Sequence, residues 1–296
     1  MDNEAPSRTA LAAAYARAYH QIADQPRIFA DPLVARLLGV TVAELTELGT
    51  PAADAPHGDV GQAILSLGVS DRPRRLFLVA RARFAEDRVA EAVAAGVRQV
   101  VILGAGLDTF AYRNPHAGLR VFEVDRPATQ AWKRRRLAAS GIDLPEGFAF
   151  VPVDFETDTL APRLEAAGFS RTEPAVYVWL GVVFYLTPDA ARATLEYIAR
   201  QAEPVEVIFD YLRTAETEAE RTQLQARADR AAAVGEPWFS YFTPAEIAAE
   251  LRALGFADVE DRAGADLVAG YLTGSAEFEG DPPRALSPVR ILRASR

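Results

Sequence analysis

Five short apolar runs separated by helical stretches constrain this chain more than any other feature. They are "QVVILGAG", "LRVFEVD", "FAFVPVD", "EPAVYVWLGV" and "PVEVIFDYL", between Gln99 and Leu212. Runs this apolar belong to strands covered on both faces, and strands alternating with helices belong to a parallel sheet. Pro127 to Ala139 and Pro188 to Gln201 supply helices, each opened by a proline in its first turn. "FADVED" and "PVRILRA" add two strands near the end, the second running to Ala294. The expected fold is α/β: a doubly wound, mostly parallel seven-stranded sheet, Rossmann-like, over residues 96–296.

Upstream the grammar is helical. "SRTALAAAYARAYH" reads as a helix capped by Ser7, and Asp31-Pro32 opens a short one. Residues 49–61 are rich in Gly, Pro and Ala and read as a loop. A helix from Arg74 to Ala95 ends at Gly96. Residues 1–95 therefore form an expected helical region, lid and substrate wall in one. Further along, residues 214–233 are polar nearly all round and predict a helix outside the core. Thr243 with Glu246 predicts a capping box.

The net charge of −9 disfavours nucleic acid as a partner. The one basic run, Lys133 to Arg136, reads as a solvated helix face. With no cysteine and three histidines, His20, His57 and His116, thiolate chemistry is excluded and no metal site is expected. No apolar stretch is long enough to span a membrane, and the polar start "MDNEAPSRTA" lacks a signal-peptide core, so a cytoplasmic protein is expected.

In doubly wound sheets ligands bind beyond the carboxyl ends of the strands. The first such end is Gly104-Ala105-Gly106, where glycines permit a sharp turn and close approach. Asp125 ends the next strand and can accept from both ribose hydroxyls of an adenosine. Asp154 ends the third and can accept from an adenine amine, with the Phe155 ring beside it. A dinucleotide turn would place a third glycine where Thr109 stands, and Asp108 would repel a pyrophosphate. The same acid suits a ligand carrying an amine or a sulfonium. The pocket therefore points from NAD towards S-adenosyl-L-methionine. An NAD-type oxidoreductase and a non-catalytic binder remain the alternatives.

With these residues in place, the chain resembles the leucine carboxyl methyltransferase and polyketide O-methyltransferase family of class I S-adenosylmethionine-dependent enzymes. The likeness runs through "SRTALAAAYARA", "ADPLVARLLG", "ARARFAEDRV", "GVRQVVILGAGLDTFAYR", "VFEVDRPAT", "VPVDFE", "VWLGVVFYLT" and "GEPWFSYFTPAEIAAELRALGF". The resemblance implies S-adenosyl-L-methionine as cofactor, S-adenosyl-L-homocysteine as product, and a monomer or homodimer. It implies that Arg81, or nearby Arg83, grips the cofactor's carboxylate, with the glycine turn at its methionine part. Asp125 then takes the ribose, and Asp154 and Phe155 the adenine. Where many members carry Glu-Gly after the fourth strand, this chain has Leu180-Gly181. That departure resembles bacterial secondary-metabolite members and speaks against a protein C-terminus as substrate.

The expected acceptor is a small molecule. A carboxylic acid, with a pKa of about 4, is ionised at neutral pH, whereas a phenol, at about 10, gains from a general base. Scarce histidines favour the carboxylate, with a phenol second. Tyr185 and His20 are the catalytic candidates. The three histidines read as exposed bystanders, so His20 carries both readings. Tyr15, Tyr19, Tyr185, Trp238 and Tyr241 are candidate walls for the acceptor. The aromatic group Trp238, Phe239, Tyr241 and Phe242 either lines a pocket or pins the following helix to the core.

Overall fold

The computed structural model describes residues 6–49, 69–155, 158–272, 283 and 285–296. The loop expected at 49–61 lies, beyond its first residue, outside the described residues, as does His57.

The sheet forms as the apolar runs require. Its strands are β1 (Gln99–Leu103), β2 (Arg120–Asp125), β3 (Phe148–Pro152), β4 (Ala175–Trp179), β5 (Val205–Leu212), β6 (Asp258–Ala263) and β7 (Val289–Ser295). They lie in the order β3-β2-β1-β4-β5-β7-β6. The first five run parallel, and β7 pairs antiparallel with both β5 and β6. The order reverses between β1 and β4, so a crevice opens at the carboxyl ends of those central strands.

The helices are α1 (Arg8–Ala23), α2 (Val34–Leu38), α3 (Val42–Gly49), α4 (Arg72–Ala94), α5 (Phe110–Arg113), α6 (Pro127–Ala139), α7 (Leu160–Ala166), α8 (Pro188–Ala199), α9 (Glu218–Ala233), α10 (Pro244–Ala253) and α11 (Gly264–Tyr271). Their ends follow local chemistry. Ser7 accepts from the Ala10 amide at the start of α1, and Asp31 accepts from the Leu33 and Val34 amides at the start of α2. Thr243 and Glu246 close the expected capping box of α10. No residue of α9 is buried, as its all-round polarity demands.

Successive residues of a strand face opposite sides of a sheet, and β1 divides the core accordingly. Val100 and Ile102 pack with Leu76, Val79 and Phe84 of α4 and with α11. Val101 and Leu103 pack with Leu195 and Ile198 of α8 and Leu251 of α10. Helix α4 thus shares the core of the sheet. A smaller core joins Ala14 and Ala18 of α1 to Leu37, Leu45, Leu107 and Leu137.

The basic run on α6 is not wholly solvated. Lys133 is 1 % exposed and donates to Glu123 Oε2 of β2 at 2.7 Å. Glu123, also 1 % exposed, accepts from the Tyr112 hydroxyl at 3.1 Å. The helical period turns Lys133 towards the sheet while Arg134 and Arg135 stay in water. No helix among the described residues is long and apolar enough to cross a membrane.

Candidate functional site

A cavity of about 440 Å³ opens at the carboxyl ends of β1, β2 and β4. Its floor is the turn after β1, which the sequence places where the strand order reverses. Gly104 and Gly106 both adopt positive φ, +63° and +48°. What presses on them is the chain itself. A Cβ on Gly104 would stand 2.3 Å from Val182 Cγ2, and one on Gly106 would stand 3.3 Å from Ala10 Cβ. The glycines therefore let the turn nest against the β4 loop and α1, a reason the sequence alone does not show. Gly104→Ala should combine that clash with a left-handed cost of about 1–2 kcal/mol. A lower urea midpoint, by about 2 kcal/mol or more, is the expected result.

Asp125 sits at the cavity's second edge. Its Oδ2 accepts from the Gly106 amide at 2.5 Å and its Oδ1 from the Arg126 amide at 2.7 Å. Burial raises its pKa, and those two amide donors oppose the rise. Each oxygen keeps a lone pair for a further donor. Because β2 and β3 run side by side, with Asp125 opposite Pro152, Asp154 and Phe155 line the same edge. Asp108 lines the cavity as well, and its Oδ1 accepts from the Phe110 amide at 2.7 Å. The chain's own carboxylate thus occupies the start of the short helix α5. A pyrophosphate would meet repulsion there.

Arg81 of α4 faces the cavity, whereas Arg83 pairs with Asp87 at 2.7 Å on the outer side of the helix. Arg81 Nη1 donates to Asp210 Oδ2 at 2.5 Å, and Asp210 Oδ1 accepts from the Gly181 amide at 2.5 Å. Asp210 comes from β5 and is buried. Leu180 lines the cavity before Gly181, and the carboxylate that holds the Gly181 amide, Asp210, comes from the next strand. The signal was present: an acid inside the apolar run "PVEVIFDYL" needs a partner.

The third side is built by α1 and the loop before α10. Thr9, Ala10, Ala13 and Arg17 line the cavity. Arg17 Nη2 donates to the Leu107 carbonyl at 2.5 Å and pairs with Asp31 at 3.2 Å, tying α1 to the glycine turn. Glu236 accepts from the Thr9 amide at 3.2 Å and from the Thr9 hydroxyl. The Tyr185 hydroxyl donates to Thr9 Oγ1 at 3.0 Å and reaches Glu236 Oε2 at 3.4 Å. Burial, with Glu236 adding to it, raises the Tyr185 pKa, so this hydroxyl stays protonated. Sequence reasoning missed Arg17, Thr9 and Glu236, because only the packing of α1 over the loop brings them together.

Other sequence candidates lie elsewhere. His20 is fully buried, not exposed. Its Nδ1 bonds Asp24 Oδ2 at 2.9 Å, and its Nε2 accepts from the Ile28 amide at 3.1 Å. With both nitrogens engaged it braces the turn after α1 and does not reach the cavity. Tyr15 and Tyr19 pack against the small core and do not line the cavity. Arg75 lies 4.9 Å over the Tyr19 ring. Trp238 packs on Phe184 with ring centroids 5.8 Å apart, and neither it nor Tyr241 lines the cavity. Phe242 joins the core, while Phe239 lines the cavity and is 54 % exposed.

The chain has recognisable relatives in sequence and in fold. A sequence model of the family described as leucine carboxyl methyltransferase matches residues 10–199. A protein of Bacillus subtilis (strain 168), YktD, assigned as an S-adenosyl-L-methionine-dependent methyltransferase, is 33% identical over 261 residues. That match covers 81% of this chain and 83% of the relative. A Mycobacterium sp. (strain JLS) protein with the same assignment is 38% identical over 202 residues, covering 66% of this chain and 62% of the relative. Among solved structures, one from Thermobifida fusca YX, assigned as a methyltransferase, superposes with a TM-score of 0.60 at 16% identity. It covers 100% of this chain and 96% of that one, a likeness of fold. On the matched residues and the identity to its relatives, this chain belongs to the leucine carboxyl methyltransferase family.

Proposed function

We propose that the protein is an S-adenosyl-L-methionine-dependent O-methyltransferase of a small molecule in secondary metabolism, forming a methyl ester on a carboxylic acid. The observation that carries the reading is the cavity itself. It joins Asp125, with lone pairs open to ribose, to Asp154 and Phe155 at one end and Arg81 at the other. In this reading Asp154 and Phe155 take the adenine and Asp125 the ribose. Gly104, Ala105, Gly106, Asp108 and Leu180 border the methionine part, and Arg81 takes its carboxylate. The bound cofactor supplies an activated methyl group. The protein's share is alignment of acceptor, methyl and sulfur, worth about 7–11 kcal/mol. Helix α1 holds the acceptor's side of the site, with α2 and α3 packed behind it. Tyr185 remains protonated and donates, so its role is to orient the acceptor.

A carboxylate acceptor requires no base, and no histidine among the described residues lines the cavity. A phenol is the second reading, favoured by Glu236, whose carboxylate lines the cavity and can accept a proton. Calorimetry should show binding of S-adenosyl-L-methionine and none of NAD. Tritiated-methyl transfer to a panel of aromatic acids and phenols should then give base-labile label, an ester. Base-stable label would replace the first acceptor class by the second, and NAD binding alone would overturn the reading.

A further inference from the structure

Arg81 is held from three sides by the chain itself. Along β5 successive residues face opposite sides of the sheet, and Ile208 packs with the α4 core, so Asp210, two places on, faces α4 as well. Phe209 stands opposite Trp179, the last residue of β4, which brings Asp210 level with the turn that follows that strand. There its carboxylate divides its oxygens. Oδ1 accepts from the Gly181 amide at 2.5 Å, and Oδ2 accepts from Arg81 Nη1 at 2.5 Å. Gly181 leaves open the space beside the guanidinium. Its φ is +74°, and a Cβ there would stand 3.0 Å from Arg81 Nη2. Phe77, one helical turn before Arg81 on α4, presents its ring centroid 5.9 Å from the guanidinium carbon.

Asp210 is 2 % exposed, and neither it nor Phe77 lines the cavity. Arg81, which does line it, stands in front of both. A carboxylate buried in an apolar strand is costly unless its oxygens are answered, and here the answering groups are an amide of the cavity wall and the cavity's own cation. A guanidinium carries five N–H donors in one rigid plane. Among the described residues, Asp210 is the one hydrogen-bond partner of the Arg81 side chain, so most of that plane is left for the cavity. A plane fixed along one edge is already oriented along the other, as paired hydrogen bonds to a carboxylate require.

We propose that Asp210 is a positioning residue for the cofactor's carboxylate: it fixes the plane of Arg81 in the seat formed with Gly181 and Phe77, and the open edge of that plane takes the carboxylate. Asp210 acts through Arg81 and touches no ligand. Its two effects have opposite signs. Its negative charge alone weakens the pull of Arg81 on an anion, whereas its hydrogen bond removes the cost of orienting the fork on binding. Orientation is the larger of the two. The inference rests on the methyltransferase reading and deepens it.

Calorimetry on the full chain tests it, with S-adenosyl-L-homocysteine and methylthioadenosine compared. The second ligand keeps adenine, ribose and thioether but has neither carboxylate nor amine. Asp210→Asn removes the charge and leaves one acceptor oxygen where the seat needs two. It should weaken S-adenosyl-L-homocysteine about tenfold and leave methylthioadenosine unchanged. In an Arg81→Met background the same change should move neither ligand further. Arg81→Lys keeps the cation and loses the fork, and should bind S-adenosyl-L-homocysteine about as weakly as Arg81→Met. Unchanged or tighter S-adenosyl-L-homocysteine binding in Asp210→Asn would overturn the proposal, because charge balance alone would then account for the residue. Equal losses for both ligands would overturn it too, as general damage to the pocket. Should Asp210→Asn fail to fold, Arg81→Lys decides, since wild-type affinity there would mean that a cation without an oriented plane suffices. If Arg81→Met leaves S-adenosyl-L-homocysteine affinity intact, the placement of the cofactor's carboxylate fails instead. A wild type that binds neither ligand removes the methyltransferase reading.

Discussion

Replacing Asp125 by alanine is expected to weaken S-adenosyl-L-methionine binding about 100-fold. Hydrogen bonds to a charged group contribute roughly 1.5–3 kcal/mol each, and two ribose hydroxyls would lose their acceptor together. At about 1.4 kcal/mol per tenfold change, the lower end of that range already gives two decades. The Gly106 amide would also lose its partner, loosening the glycine turn beneath the methionine part. Asp125→Asn keeps an acceptor oxygen and should cost nearer tenfold. Because burial raises the Asp125 pKa, affinity should fall off with acid sooner than for an exposed aspartate. Isothermal calorimetry measures each of these. An unchanged dissociation constant in the alanine variant would remove Asp125 from the site.

The largest expected effect on stability lies away from the cavity. Lys133→Met leaves Glu123 buried without its cation, and breaking such a pair costs about 3–5 kcal/mol. Replacing both partners with apolar residues of similar volume, as in Lys133→Met/Glu123→Leu, should recover most of that loss. Urea unfolding gives the comparison. Burial pushes Glu123 up to about 7, against the pull of Lys133. A folded-state pKa above the unfolded one means the folded protein holds the proton more tightly. That contribution is complete below the unfolded value of about 4.5 and fades as pH rises through 7. In Lys133→Met the proton takes the place of the lost cation, so the cost should be smaller at pH 5.5 than at pH 8. A cost independent of pH would mean that Glu123 finds another partner.

Much of the fold was legible because its signals are local. An apolar run bounded by Gly or Pro has few ways to bury itself, and β1 to β5 lie where those runs stand. Ser7 and Thr243 mark helix starts by hydrogen bonds within three residues of themselves, so the sequence displays them directly. Lys133 shows the limit. In a row of four basic residues nothing local marks the one whose partner lies on a strand ten positions away.

The candidate site was legible to a similar depth. Gly104, Gly106, Asp108, Asp125 and Asp154 sit at strand ends, and a parallel sheet gathers its strand ends along one edge, so alternation alone brings them together. Which side of a helix faces the cavity depends on a rotation that only packing sets. Arg81 was separable from Arg83, and Thr9 and Ala13 from Tyr15 and Tyr19, once α4 and α1 were docked on the sheet. Period and turn chemistry act over a few residues, and they suffice for the sheet, its winding and the acids along its carboxyl edge. Packing over long stretches of chain is what brings Asp210 to Arg81 and Glu236 to Thr9 and Tyr185. Those relations join residues from about 50 to more than 200 positions apart, and no local rule of the chain carries a distance through space.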